Sequence, residues 1–140
     1  RDPQGCLDDE HHMAWIGQRR LHKLGGQYPQ MIRIDAAWLA AAPMDMRGGT
    51  DTALARVVGV FGAAQPHTAY IFANKRANRL KILVHDGFGI WLAARRLHQG
   101  KFIWASGDVP TVSLQHAQLD ALVLGLPWQR LGPHAVISVV

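Results

Sequence analysis

Through the middle of the chain apolar and polar residues alternate in short runs, and on either side the period lengthens toward that of a helix. Leu80, Ile82 and Val84 alternate with Lys81, Leu83 and His85, the period of two expected of a strand. Just ahead, residues 68–74 read TAYIFAN, rich in aromatic and β-branched side chains, and predict another strand. Residues 75–79, KRANR, form the turn between them. Asp86-Gly87-Phe88-Gly89 is a second turn, with the Asp-Gly pair that hairpins favour. Residues 90–97 predict a further strand, although Ala93 to Arg96 would tolerate a helix. His98-Gln99-Gly100 turns the chain again, and residues 101–105 are the last expected strand. Connections this short imply antiparallel neighbours in a meander.

Leu54, Val57, Val58 and Phe61 stand at helical spacing. They predict a helix over residues 51–62, with Thr50 or Asp51 as cap and Gly62 near its end. Ser113 is the expected cap of a second helix carrying Leu114, Leu119, Leu122 and Val123, ended by Gly125 and Pro127. Residues 31–43 alternate around Ile32 and Ile34 and suggest a short strand, while residues 36–42 equally admit a helical turn. The apolar residues 135–140 are an edge strand or a frayed end. The sum is an α+β domain: a small antiparallel β-meander with two or three helices packed on one face.

Residues 1–30 sustain neither period; only residues 13–24 admit a short helix. The expected organisation is a poorly structured leader over 1–30, translated from upstream of a natural start at Met31, and one domain over 31–140. The mass of the natively expressed protein checks that start.

The chain has 140 residues, 49% of them hydrophobic, enough for one domain with a core. No apolar run approaches the roughly 18–20 residues that span a bilayer, and RDPQGCLDDEHH, with no charged region ahead of an apolar stretch, predicts no secretory signal. Cys6 is the single cysteine, so no intramolecular disulfide forms and the cytoplasm is the expected compartment.

Charge sharpens the picture. The net charge is +5. Residues 1–30 hold four basic and four acidic side chains, so residues 31–140 carry the whole excess. Between residues 70 and 104, Lys75, Arg76, Arg79, Lys81, Arg95, Arg96 and Lys101 stand against Asp86 alone, a local charge of +6. Such a field attracts polyanions. Arg79 and Lys81 project from one face of their strand, opposite Leu80 and Ile82. Arg95 or Arg96, with Lys101, lies beside them in a simple meander. One reading is a solvated sheet face that blunts aggregation. The other, which the clustering favours, is a phosphate-contacting surface whose affinity falls steeply with salt. Phosphate contacts position a protein without reading sequence, and no helix-turn-helix or zinc-finger pattern is present. Tyr70, Phe72, Phe88, Trp91, Phe102 and Trp104 are interleaved with the cations; they are expected in the sheet core, with stacking on single strands as the alternative.

Other chemistry finds little support. Asp86 to Gly89 lacks the strand–glycine-loop–helix context of a phosphate loop. The eight histidines carry no metal-ligand spacing. Asp45, Asp51, Asp86, Asp108 and Asp120 are scattered through loops and caps rather than converging as a two-metal site requires. Glu10 is the one glutamate. No catalytic residue, metal or cofactor is expected.

The central block is specific. Phe72 to Leu83 (FANKRANRLKIL), Asp86 to Gly89 (DGFG) and Arg96 to Trp104 (RLHQGKFIW) resemble the TnpB accessory proteins of the insertion-sequence-66 family of bacterial transposons, the product of their second open reading frame. Pro43-Met44-Asp45-Met46-Arg47 with Asp51 is similar to that family's Asp-Met-Arg segment. Leu114, Gln118, Leu119, Leu122 and Gly125 are similar to its C-terminal helix. The resemblance runs from about Met31 to Trp128. Two positions depart: Gly48 stands where a second basic residue is common, and Ala105 where proline often follows Phe-x-Trp. The resemblance implies a non-catalytic accessory role in transposition beside a separate transposase that does the strand chemistry. It adds DNA at the transposon ends, the transposase and another accessory subunit as expected partners, and no membrane. The expected DNA-binding residues are Lys75, Arg76, Arg79, Lys81, Arg95, Arg96 and Lys101, with Arg47 extending the patch. The alternative is an assembly or regulatory factor for the transposase, docking through the same surface or through an apolar patch near Trp128 and residues 137–140. An inactive product of a decayed element is the third reading.

Overall fold

The computed structural model describes residues 32–105 and 108–131. Expectations for residues 1–31 and 132–140 lie outside the described residues. The described elements are β1 (Ala36–Ala40), α1 (Thr50–Phe61), β2 (Thr68–Ala73), β3 (Arg79–His85), β4 (Ile90–Arg96), β5 (Thr111–Leu114), α2 (His116–Val123) and a 3-10 turn (Trp128–Arg130).

The five strands form one sheet in the order β4-β3-β2-β1-β5. Only β2-β3-β4 is a meander. β1 runs parallel to β2, from Ala36 opposite Thr68 to Leu39 opposite Ile71. That pairing corrects the all-antiparallel expectation. Parallel neighbours need a long crossover, and α1 with its flanking loops provides it. The first strand also begins later than the alternation around Ile32 and Ile34 suggests. Both isoleucines are buried, but Asp35 donates its backbone N–H to the His67 carbonyl and the ladder opens only at Ala36.

α1 lies where the spacing predicts it. Its cap is Gly49, with no side-chain hydrogen bond, so Thr50 and Asp51 lie inside the first turn. Asp51 there complements the helix dipole. Gly62 ends the helix at φ 89°, donating to the Val58 carbonyl.

Residues 101–105 are not a strand. The segment from Leu97 to Trp104 crosses the end of the sheet where β2 leads into β3. Leu97 donates to the Asn78 carbonyl, Phe102 to the Ala77 carbonyl, and the Trp104 indole to the Ala40 carbonyl at 2.9 Å. The fifth strand comes later and pairs antiparallel with β1, Ala40 opposite Thr111 and Ala37 opposite Leu114. Ser113 therefore sits inside β5 and does not cap α2. Gln115 caps it in a reciprocal box with Gln118.

The helices cover opposite faces of the sheet, not one. Tyr70, Phe72 and Leu83 pack with Ala53 and Val57 of α1. Ala69, Ile71, Leu80, Ile82 and Val84 pack with Leu119 and Leu122 of α2. β2 is buried at all six positions, as a strand covered on both sides must be. The α+β class stands, built as helix, sheet, helix.

Candidate nucleic-acid interface

The basic turn is held by its own asparagines. Asn74 Oδ1 accepts the backbone N–H groups of Asn78 (3.0 Å) and Arg79 (3.1 Å), and Asn74 Nδ2 donates to Asn78 Oδ1 at 2.7 Å. The left-handed position is taken by Ala77 at φ 57°, not by an asparagine. Lys75 and Arg76 are exposed at the tip. The bond from Phe102 to Ala77 brings exposed Lys101 alongside.

Register sorts the remaining cations. Arg79 stands opposite Arg96, Lys81 opposite Ala94, and Leu80 opposite Arg95. Opposed residues share a face, and Leu83 faces α1. Arg79, Lys81 and Arg96 therefore lie on the α1 face. Arg95 goes with Leu80 to the α2 face, where its Nε is buried without a hydrogen-bond partner. The choice between Arg95 and Arg96 as neighbour of Arg79 resolves to Arg96.

Two cations are tied to local acceptors. Lys81 Nζ donates to the carbonyl oxygens of Met46 (2.7 Å) and Gly48 (2.6 Å). It thereby fastens the loop of residues 43–49 to the sheet. Arg47 grips Asp45 with its guanidinium, the shortest bond being 2.7 Å from Nη2 to Oδ2. Those bonds, with the Arg47 backbone N–H, hold the Asp45 carboxyl down to about 2 and raise Arg47.

Between loop 43–49 and turn 74–79 lies an open groove of about 850 Å³, lined by Met46, Arg47, Asn74, Lys75, Arg76 and Arg79 among others. A depression of about 240 Å³ adjoins it, lined on the α1 face by Met46, Arg79, Lys81, Ala94 and Arg96 among others. Met46 and Arg79 border both. Among the described residues Asp45 is the only carboxylate at the groove, and neither Arg79 nor Arg96 has an acidic partner. Like charges directly opposed on neighbouring strands repel. The groove is thus a positively charged surface that an anion would relieve.

The remaining residues singled out from the sequence fall elsewhere. Asp86 builds the β3–β4 turn, Oδ1 accepting from Phe88 and Gly89 at 2.9 Å each and Oδ2 from the Trp91 indole. Those backbone bonds keep its carboxyl below the usual range. Tyr70, Phe72 and Phe102 are core, and Trp91 and Trp104 are half-buried against it. Phe88 alone of that set is fully exposed. Trp128 is buried, its indole donating to the Ile103 carbonyl at 2.6 Å. Near it in sequence Leu124, Leu126 and Leu131 are exposed, and residues 137–140 of the expected patch lie outside the described residues. No described helix is long and apolar enough to cross a membrane. The two carbonyl contacts of Lys81 were not foreseen. They join residues more than thirty positions apart, a distance over which no local pattern signals a bond.

No solved structure matches the chain. It is 30% identical to the uncharacterized protein y4hO of Sinorhizobium fredii over 102 residues, 72% of this chain and 86% of that protein. It is 32% identical to y4jC, also uncharacterized and from the same organism, over 95 residues, 66% of this chain and 80% of that protein. The family model for IS66 Orf2-like proteins matches residues 35–133, which include both walls of the groove, β1 to β5 and α2. The chain belongs to the IS66 Orf2-like family, and with it to the accessory proteins of transposition.

Proposed function

We propose that this chain is a non-catalytic accessory protein that holds transposon DNA by its phosphates along the groove between residues 43–49 and 74–79. The observation that carries this reading is the cross-strand pair Arg79 and Arg96 without an acidic partner among the described residues. Guanidinium groups bind phosphate oxygens in a forked, charge-assisted geometry. Lys75, Arg76 and Lys101 extend the contact at the turn. Lys81 and Arg47 shape the loop wall and add to the field, and Arg95 adds charge from the other face. Such contacts fix a protein on DNA without reading sequence. The protein works in the cytoplasm, beside the transposase.

Fluorescence anisotropy of the whole chain on a labelled transposon-end duplex and a scrambled duplex, at about 50 and 200 mM salt, tests this reading, because phosphate contacts weaken strongly across that range. Salt-sensitive binding that Arg79→Ala/Arg96→Ala abolishes is the expected result. No binding at the lower salt refutes it. The second reading, assembly on the transposase, then takes over. It is favoured by exposed Leu124, Leu126 and Leu131 beside α2, and predicts co-purification that Leu126→Asp/Leu131→Asp disrupts.

A further inference from the structure

We infer that the form of DNA this groove takes is the duplex, in preference to a single strand. The inference rests on the phosphate-binding reading above and concerns the same surface.

Single-strand binders combine a cationic track with exposed rings on which successive bases stack. Here the rings and the cations are segregated. Tyr70 and Phe72, on the strand next to β3, are buried beneath α1. Phe102, next to Lys101, is buried in the other core. The Trp91 and Trp104 indoles spend their N–H groups on Asp86 and the Ala40 carbonyl.

Among the described residues the exposed phenylalanine and tryptophan rings are Phe88 and Trp38, and both are remote. Phe88 tips the β3–β4 turn, whereas Arg79 and Arg96 sit at the opposite end of those strands. The seven residues of β3 separate them by about 20 Å at roughly 3.3 Å per residue. Trp38 is 36% exposed and meets Phe61, the last residue of α1, at 6.4 Å. Trp38 stands two strands from β3, level with Leu83 through Tyr70, four residues short of Arg79, so about 16 Å separates it from that arginine at roughly 3.3 Å per residue and 4.8 Å per strand. Neither ring reaches a base whose phosphate the arginines hold.

A duplex asks for less. Its bases are already stacked on one another, and its phosphates are denser, releasing more counterion per contact than a single strand. A groove whose described lining is guanidinium and ammonium groups without phenylalanine, tyrosine or tryptophan rings meets that need and offers unstacked bases no partner.

Competition decides the matter. The whole chain is bound to a labelled 20-base-pair duplex and displaced with the unlabelled duplex or a thymidine 20-mer, which forms no secondary structure. The expected result is that the duplex competes at least about tenfold better per phosphate, with Phe88→Ala and Trp38→Ala leaving both competitors unchanged. Equal or stronger competition by the thymidine strand overturns the inference and leaves phosphate binding standing. So does loss of thymidine binding in either ring variant. Failure to bind either DNA overturns both readings.

Discussion

The ammonium of Lys81, in the middle of β3, donates to the carbonyl oxygen of Met46 at 2.7 Å. One wall of the groove is thereby fastened to its floor. The second bond, to Gly48, lands next to the residue that caps α1. Lys81→Met keeps the stem but removes both bonds, and hydrogen bonds to charged groups contribute about 1.5–3 kcal/mol each. The two carbonyls can turn to water, so the expected loss in urea unfolding is about 1–3 kcal/mol. DNA affinity should fall further than the loss of one charge explains, because the loop wall shifts.

Arg79 and Arg96 oppose one another without an acidic partner among the described residues. Arg79→Glu replaces a like-charged pair with an opposite one, so the folded protein should gain about 0.2–1 kcal/mol in urea unfolding. DNA binding should weaken in the same variant. Opposite movement of the two quantities distinguishes a ligand seat from an ordinary solvated face.

Among the described residues Asp45 is the one carboxylate at the groove, and Arg47 holds its pKa down to about 2. The ion pair is therefore intact at every pH above the ordinary carboxylate range, and is lost only as pH falls through about 2. A carboxyl-detected NMR titration should place the Asp45 midpoint there. Asp45→Asn frees the Arg47 guanidinium, and the fall of log affinity with log salt should steepen by about one.

Leu122 is fully buried on the α2 face, while Leu124, two residues on, is 60% exposed. Leu122→Ala should cost about 2–5 kcal/mol in urea unfolding. Leu124→Ala should stay within about 0.5 kcal/mol of the parent. A small effect at Leu122 would contradict a core on both sides of the sheet.

Local pattern located α1, β2, β3, β4 and both turns of the meander, because each owes its shape to neighbours in sequence. It misplaced what long-range pairing decides. Thr111 to Leu114 is too short to show a period, and it becomes a strand only because β1 offers an edge. Phe102 and Trp104 alternate like strand residues, yet the Phe102 backbone is captured by the β2–β3 turn, the Trp104 indole by the Ala40 carbonyl, and both rings by the core on the α2 side. The uninterrupted burial of β2 was foreshadowed in TAYIFA, a run with no polar face to leave in water. The cations were legible as a cluster. Their division into bound, opposed and averted groups was not, because it depends on register and on a loop more than thirty residues away.

The segment crossing the end of the sheet touches the basic turn through Phe102 and the 3-10 turn through Ile103, which are consecutive residues. A single peptide unit thus stands between the carbonyl of Ala77 and the indole of Trp128. The cationic tip and the leucine-bearing end of the molecule are linked like two arms of one lever. Phe102 and Ile103 are thus the shared anchor of the basic turn and the 3-10 turn.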